Sequence, residues 1–151
     1  MLIDHLIYAV PSLPAAMADV AERFGVRAQA GGRHLGLGTH NALLALGPRT
    51  YLEIIAPDPE QPEPSMPRPF GVDGVTGGGL AGWALGCDDT EHPAASAPRG
   101  LTLEAFSIEH PDPGSLAPLL TALGADVEIK PAGTAALVAR LSGPNGRTVL
   151  R

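Results

Sequence analysis

Glu53 stands inside the apolar run Thr50-Tyr51-Leu52-Glu53-Ile54-Ile55-Ala56, whose alternation and β-rich make-up read as a strand. A charge in that setting is costly unless something compensates it. The carboxylate is therefore paired, bound to a metal, or turned toward a polar cavity. Its segment has an echo: Arg49-Thr50-Tyr51-Leu52-Glu53 recurs as Arg147-Thr148-Val149-Leu150-Arg151, with arginine where the glutamate stood. A cavity with Glu53 on one side and Arg151 on the other would hold an ion pair or an anionic ligand without metal.

Further polar candidates cluster around a glycine-rich turn, Gly31-Gly32-Arg33-His34-Leu35-Gly36-Leu37-Gly38, which runs into Thr39-His40-Asn41. His34, His40 and Asn41 either contact a ligand or serve turn chemistry. The turn lacks the strand-to-helix setting of a phosphate loop, which argues against nucleotide binding. Trp83, the single tryptophan, suits the wall or mouth of a cavity. Cys87 has no motif partner and reads as a small structural residue. His92 and His110 sit near prolines in loops and read as solvated.

These residues need a scaffold, and composition bounds it. A chain of 151 residues makes one domain or two intimately packed halves and buries roughly two-thirds of its unfolded surface. A net charge of −6 with one lysine, Lys130, and no basic cluster excludes the footprint of a nucleic-acid binder. The lone cysteine permits no internal disulfide, and Asp4 and His5 lie where a signal peptide would be positive and then apolar. A cytoplasmic protein is expected. No apolar run approaches the roughly 20 residues of a membrane span.

Periodicity then orders the elements. Leu2 to Val10 reads as a strand ending at Pro11. Ser12 caps a helix whose Leu13, Met17, Val20, Ala21 and Phe24 share one face, with Gly25 as its stop. Short strands follow at Val26 to Ala30, Thr39 to Leu46 and Thr50 to Ala56, completing a β-α-β-β-β unit over residues 1–56. Pro57 to Gly79, with six prolines and five glycines, reads as an irregular linker. The linker region, 57–100, also carries one extra strand near 80–86. Residues 101–151 repeat the order: a strand at Leu101 to Ile108, a turn and cap through Ser115, and a helix at Leu116 to Leu123 with Pro118 in its first turn. Strands then follow at Val127 to Lys130, Ala135 to Leu141 and Arg147 to Arg151, the last two joined by the turn Gly143-Pro144-Asn145-Gly146.

Landmarks recur in the same order about 100 positions apart, Pro11 with Pro111, Phe24-Gly25 with Leu123-Gly124, Arg49-Thr50 with Arg147-Thr148; such self-similarity marks an internal duplication. The fold class is α+β, with two β-α-β-β-β modules forming a half-barrel cavity. An open sheet edge makes a homodimer the expected assembly.

Asp4-His5-Leu6-Ile7-Tyr8-Ala9-Val10-Pro11, Gly32-Arg33-His34 followed by Gly38-Thr39-His40-Asn41, Tyr51-Leu52-Glu53, and Gly79-Leu80-Ala81-Gly82-Trp83-Ala84-Leu85 together resemble the glyoxalase-like branch of the vicinal oxygen chelate superfamily. The resemblance is strongest over residues 1–86. It implies paired modules and a divalent metal (Zn, Fe, Mn or Ni) held by a first-strand histidine and a fourth-strand glutamate, which map to His5 and Glu53. Strand parity agrees, since His5 and Glu53 then share a face while Leu6, Tyr8, Val10, Leu52 and Ile54 turn to the helix layer. In the second module the equivalent positions are Ala105 and Arg151, so both expected ligands are missing. The implied function is a metal-assisted lyase, isomerase or dioxygenase acting on a small molecule with adjacent oxygens, Glu53 moving protons. Arg33, His34, His40, Asn41, Tyr51, Trp83 and Arg151 are the expected ligand contacts. The competing reading is a binding protein that sequesters a ligand in the same cavity.

Overall fold

The structure is a computed structural model that describes residues 3–86 and 92–151. Cys87 lies outside the described residues. The element order is β1 (Ile3–Ala9), α1 (Leu13–Phe24), β2 (Gln29–His34), β3 (Thr39–Gly47), β4 (Thr50–Pro57), β5 (Gly79–Leu85), β6 (Thr102–His110), α2 (Pro113–Ala122), β7 (Glu128–Pro131), β8 (Ala136–Gly143) and β9 (Gly146–Leu150). Two short 3-10 turns, Pro69–Gly74 and Pro93–Ala95, lie in the connections on either side of β5. The α+β, two-module architecture expected of the sequence is present.

The strands form a five-stranded sheet in the order β2-β3-β4-β1-β5 and a four-stranded sheet in the order β7-β6-β8-β9. Alternation divides the first sheet cleanly. Leu6, Tyr8, Val10, Leu44, Leu46, Leu52, Ile54 and Ala56 turn to one side, where they join Leu13, Val20 and Phe24 of α1. Phe106, Ala139, Leu141 and Leu150 of the second sheet enter the same core, so the space between the sheets is filled with packed apolar side chains. Helix α1 starts at Ser12 in extended conformation with Pro14 in its first turn, and ends at Gly25, whose φ of +73° lets its N–H reach back to Ala21 O as a left-handed stop requires. The β8–β9 turn meets this end, where Asn145 Nδ2 donates to Glu22 O at 2.7 Å.

The other side of the first sheet is covered by the connections. Val72 of the first 3-10 turn packs on Ile7, Ala9 and Ile55. Ala94 and Ala97, in and just after the second, pack on Ala45 and Tyr51. The segment read as an irregular linker thus supplies part of a wall.

Three expectations are corrected. First, β2 runs from Gln29 to His34, through glycines assigned to the turn. Gly31 is required there because a Cβ would strike the Asn41 side chain, and the pairing slips between Ala30 and Arg33 to keep the strand going. Second, α2 begins at Pro113, capped by Asp112 whose carboxylate accepts from Ser115 N–H, and Pro118 sits inside the helix. Third, the two modules share an element order and differ in strand order. β1 lies between β4, parallel to it, and β5, antiparallel, whereas β6 lies between β7, parallel to it, and β8, antiparallel, so β7 stands beside β6 as β4 stands beside β1. No helix among the described residues is long and apolar enough to cross a membrane.

Candidate functional site

β1 and β4 run parallel, with Ile7 opposite Glu53 and His5 opposite Tyr51. On its other edge β4 faces β3, with Leu43 opposite Glu53 and Asn41 opposite Ile55. Side chains directly across from one another share a face. His5, Asn41, Tyr51 and Glu53 therefore gather on the outer face, between the two 3-10 turns, and Glu53 is their centre.

Asn41 Nδ2 donates to Glu53 Oε1 at 2.6 Å. The amide cannot turn over, because its Oδ1 accepts the Gly32 N–H at 2.7 Å. His34 Nε2 accepts from the same Nδ2 at 3.3 Å, which leaves Nδ1–H to donate to the buried Thr39 Oγ1 at 2.9 Å. His5 approaches the other carboxylate oxygen, Nε2 lying 3.8 Å from Oε2. Its Nδ1 donates to Asp4 Oδ2 at 2.7 Å; by this hydrogen-bond assignment the neutral ring carries its lone pair on Nε2. Two acceptors therefore face each other. Both side chains keep some access to solvent, 19% for His5 and 12% for Glu53.

Aromatic packing holds the imidazole in place. His5 stacks on Tyr51 with centroids 4.7 Å apart and planes at 21°, and His92 meets Tyr51 edge-on at 5.6 Å. Burial, then the charges of Glu53 and Asp4, push the Tyr51 hydroxyl up to about 12, so it stays protonated. Burial alone would raise the Asp4 carboxyl, but hydrogen bonds from His5 and His92 outweigh it and hold Asp4 below its ordinary value. Beside this group a Cβ at Gly82 of β5 would lie 3.2 Å from Ile7 Cδ1 and at ordinary contact distance, 3.5 Å, from Cδ1 of the Phe70 ring. Phe70 sits at φ +59°, a left-handed conformation that costs about 1–2 kcal/mol for a residue with a Cβ.

The remaining residues fall elsewhere. Arg33 and His40 pair across β2 and β3 near buried Asp58. Arg33 Nε and Nη2 donate to the two Asp58 oxygens at 2.7 and 2.9 Å, and His40 Nδ1 lies 4.0 Å from Oδ1. Arg33, followed by a donor on Gln61 and the Glu60 N–H, holds the Asp58 carboxyl far below the usual carboxylate range against the effect of its burial. Trp83 packs against the main core, tilted on Phe106 at 5.7 Å. Arg151 turns away from the carboxylate it was expected to face and grips Glu109 with both Nη atoms at 2.9 Å. Ala105 pairs with Arg140. Because β9 is not adjacent to β6, the echo of Glu53 in Arg151 is local and makes no second half-site.

Two residues of the site escaped sequence reasoning. Asp4 adjoins His5, so strict alternation would send it to the opposite face; the register shift between Ile3 and His5 in the β1–β5 pairing relaxes that rule. His92, read as solvated, is only 12% exposed and donates from Nε2 to Asp4 Oδ1 at 2.8 Å. The only signal for it was its place before a proline.

A metal was expected at His5 and Glu53. A structural or catalytic transition-metal site takes at least three protein donors, and no group of three His, Cys, Asp or Glu residues able to hold an ion exists among the described residues. Glu53 Oε1 is already engaged by Asn41, and His34 Nε2 lies 3.9 Å from that oxygen with its own lone pair engaged. The donor set does not fit a protein-held ion.

Neither a curated protein nor a solved structure matches the chain. The model of the glyoxalase-like domain family matches residues 3–116, from β1 into the first turn of α2. On that match, which spans the whole Glu53 face, the chain belongs to the glyoxalase-like domain family, within the vicinal oxygen chelate superfamily.

Proposed function

We propose that the outer face of the first sheet binds a small molecule with adjacent oxygens, a hydroxyl beside a carbonyl, and that Glu53 and His5 move its protons in a lyase or isomerase reaction. The observation that supports this most is the pair of acceptors 3.8 Å apart. Two lone pairs facing each other call for a donor between them, and an oxygen at about 2.8 Å from each sits comfortably above such a pair. A ligand hydroxyl there donates its one proton to His5 Nε2 and turns the neighbouring carbon-bound hydrogen toward Glu53. Glu53 takes that carbon-bound proton as the C–H electrons form the enediol, His5 passes the hydroxyl proton on to the carbonyl oxygen, and Glu53 returns its proton to the adjacent carbon. Asn41 keeps the carboxylate oriented, and Tyr51 offers a donor to the carbonyl.

The superfamily often uses divalent metals, so elemental analysis belongs with the test. Protein purified without chelators should carry substoichiometric Zn, Fe, Mn and Ni. Wild type should exchange the carbon-bound proton of an α-hydroxy carbonyl compound with deuterated solvent, followed by proton NMR, and Glu53→Gln should slow the exchange by about 10²–10⁴. Stoichiometric metal that disappears in His5→Ala overturns the metal-free reading, and undiminished exchange in Glu53→Gln overturns the role of the carboxylate.

A second reading, a protein that sequesters its ligand without turnover, is supported by the absence of a three-donor group among the described residues. It is distinguished by tight binding of such compounds in both wild type and Glu53→Gln with exchange in neither. A homodimer belongs to the proposal as well, supported by the exposed edge strand β2; light scattering on the purified protein measures it.

A further inference from the structure

His5 does not set its own orientation. A chain of hydrogen bonds reaches it from the connection beyond β5, and each link has a definite direction. Ala94 N–H can only donate, and it donates to His92 Nδ1 at 3.2 Å. Nδ1 is therefore an acceptor, so the proton of the neutral His92 ring is on Nε2. That Nε2–H donates to Asp4 Oδ1 at 2.8 Å, while the second carboxylate oxygen, Oδ2, takes Nδ1–H of His5 at 2.7 Å. Both oxygens of Asp4 are thus committed, one to each ring. Ala94, where the chain of bonds begins, is fully buried against Ala45 and Tyr51, so the anchor is a packed turn.

We propose that Asp4 and His92 are positioning residues for His5: a backbone amide in the Pro93–Ala95 turn fixes the tautomer of His92, its Nε2–H orients the Asp4 carboxylate, that carboxylate, which can only accept, holds Nδ1–H of His5, and Nε2 of His5 is left facing Glu53 with its lone pair free. The inference rests on the reading that His5 works with Glu53. It adds that part of the apparatus is carried by the connection between the two modules. A carboxylate orienting the far nitrogen of a working imidazole is a general device, since the partner of one ring nitrogen decides what the other can do. Here the orienting carboxylate is itself oriented by a second imidazole. If the turn leaves its seat on Ala45 and Tyr51, Asp4 loses one of its two donors, and the carboxylate that holds the Nδ1–H form of His5 loses its fixed position.

The test reads the tautomer directly. In histidine-labelled protein at a pH well above the ordinary histidine value of about 6.5, nitrogen–proton correlation spectra should show wild-type His5 in the Nδ1–H form. Asp4→Ala should convert His5 to the Nε2–H form, and His92→Leu should give a mixture of the two. His92→Gln, whose side-chain amide can still donate to Asp4, should restore the wild-type pattern, which separates positioning from a general loss of packing. Melting temperatures of the variants report folding independently. His5 retaining Nδ1–H in Asp4→Ala overturns the role of Asp4, and a wild-type spectrum in His92→Leu overturns that of His92. These outcomes do not depend on solvent exchange at a substrate carbon, so the failure of the proposed reaction would be recognised separately.

Discussion

His5 Nε2 and Glu53 Oε2 stand 3.8 Å apart on adjacent parallel strands, and no side chain among the described residues donates a hydrogen bond between them. Both groups keep some access to solvent, so a water or a ligand hydroxyl can donate between them. The neighbouring contacts have the opposite character. Asn41, Gly32, His34, Thr39, Asp4 and His92 each have a partner at hydrogen-bond distance. Away from this pair, beside Asp58, His40 Nε2 is a buried ring nitrogen without a hydrogen-bond partner among the described residues.

Replacing Glu53 with glutamine should separate function from stability. A glutamine amide can donate to His5 Nε2, which relieves the confrontation of acceptors and removes a largely covered charge. The proton exchange should fall by about 10²–10⁴, the usual contribution of a positioned base, while the melting temperature stays level or rises, as at other sites strained for function. Calorimetry beside the exchange assay checks both halves.

Gly31→Ala tests how Asn41 is held. The new methyl group would strike the Asn41 amide oxygen, so the amide must move and release either Gly32 N–H or Glu53. Overpacking of this kind costs about 1–3 kcal/mol, and chemical denaturation should show a loss in that range. Exchange activity should fall in parallel, although position 31 touches no substrate.

The Arg33–Asp58 pair sets an acid limb on stability. Asp58 is buried and its carboxyl is held far below the ordinary value, chiefly by Arg33. A carboxyl lowered in the folded state contributes stability that is fully present above the unfolded value of about 3.9 and is lost as pH falls toward the folded value. Wild type should therefore lose melting temperature on acidification below about pH 4. Arg33→Met should melt lower than wild type at pH 7, and the gap should narrow as the pH is lowered, because a protonated Asp58 no longer needs the guanidinium. A gap independent of pH would show that the pair is not its source.

Asn145 links the modules through the end of α1. Its side chain donates to Glu22 O at 2.7 Å, satisfying one of the carbonyls that a helix leaves open at its C-terminus. Asn145→Ala should cost about 1 kcal/mol, the net value of one such bond. Gly25→Ala should cost more, since φ is +73° there and a Cβ would lie 2.8 Å from Asn145 Oδ1. Denaturant midpoints of the two single variants and the double variant would show whether the effects share this contact.

Strand parity made the first module readable. It placed Leu6, Tyr8, Val10, Leu52 and Ile54 against the helix and His5 with Glu53 on the other face, where the structure has them. The order of elements was also legible, because each strand and helix carries its own period and stop signals. Which edge of β6 receives β7 was not, since strand order depends on contacts distant in sequence, and the Arg151 echo misled for that reason. Asp4 was hidden by a local register shift, and His92 by a connection whose composition gives no period at all. The family match stops at residue 116, so it offered no guide to strand order in the second sheet.

The Pro69–Gly74 and Pro93–Ala95 turns cover the outer face of the first sheet without belonging to either sheet. Their lengths and side chains can be revised by insertion or substitution while the core shared by the two sheets is left intact, because surface connections tolerate change far better than packed interiors. The lining of the Glu53 face is therefore open to change largely separately from foldability. Loop grafting between 62 and 67, clear of buried Asp58 and Val72, offers an engineer the same freedom, whereas Pro93–Ala95 must keep the amide that holds His92.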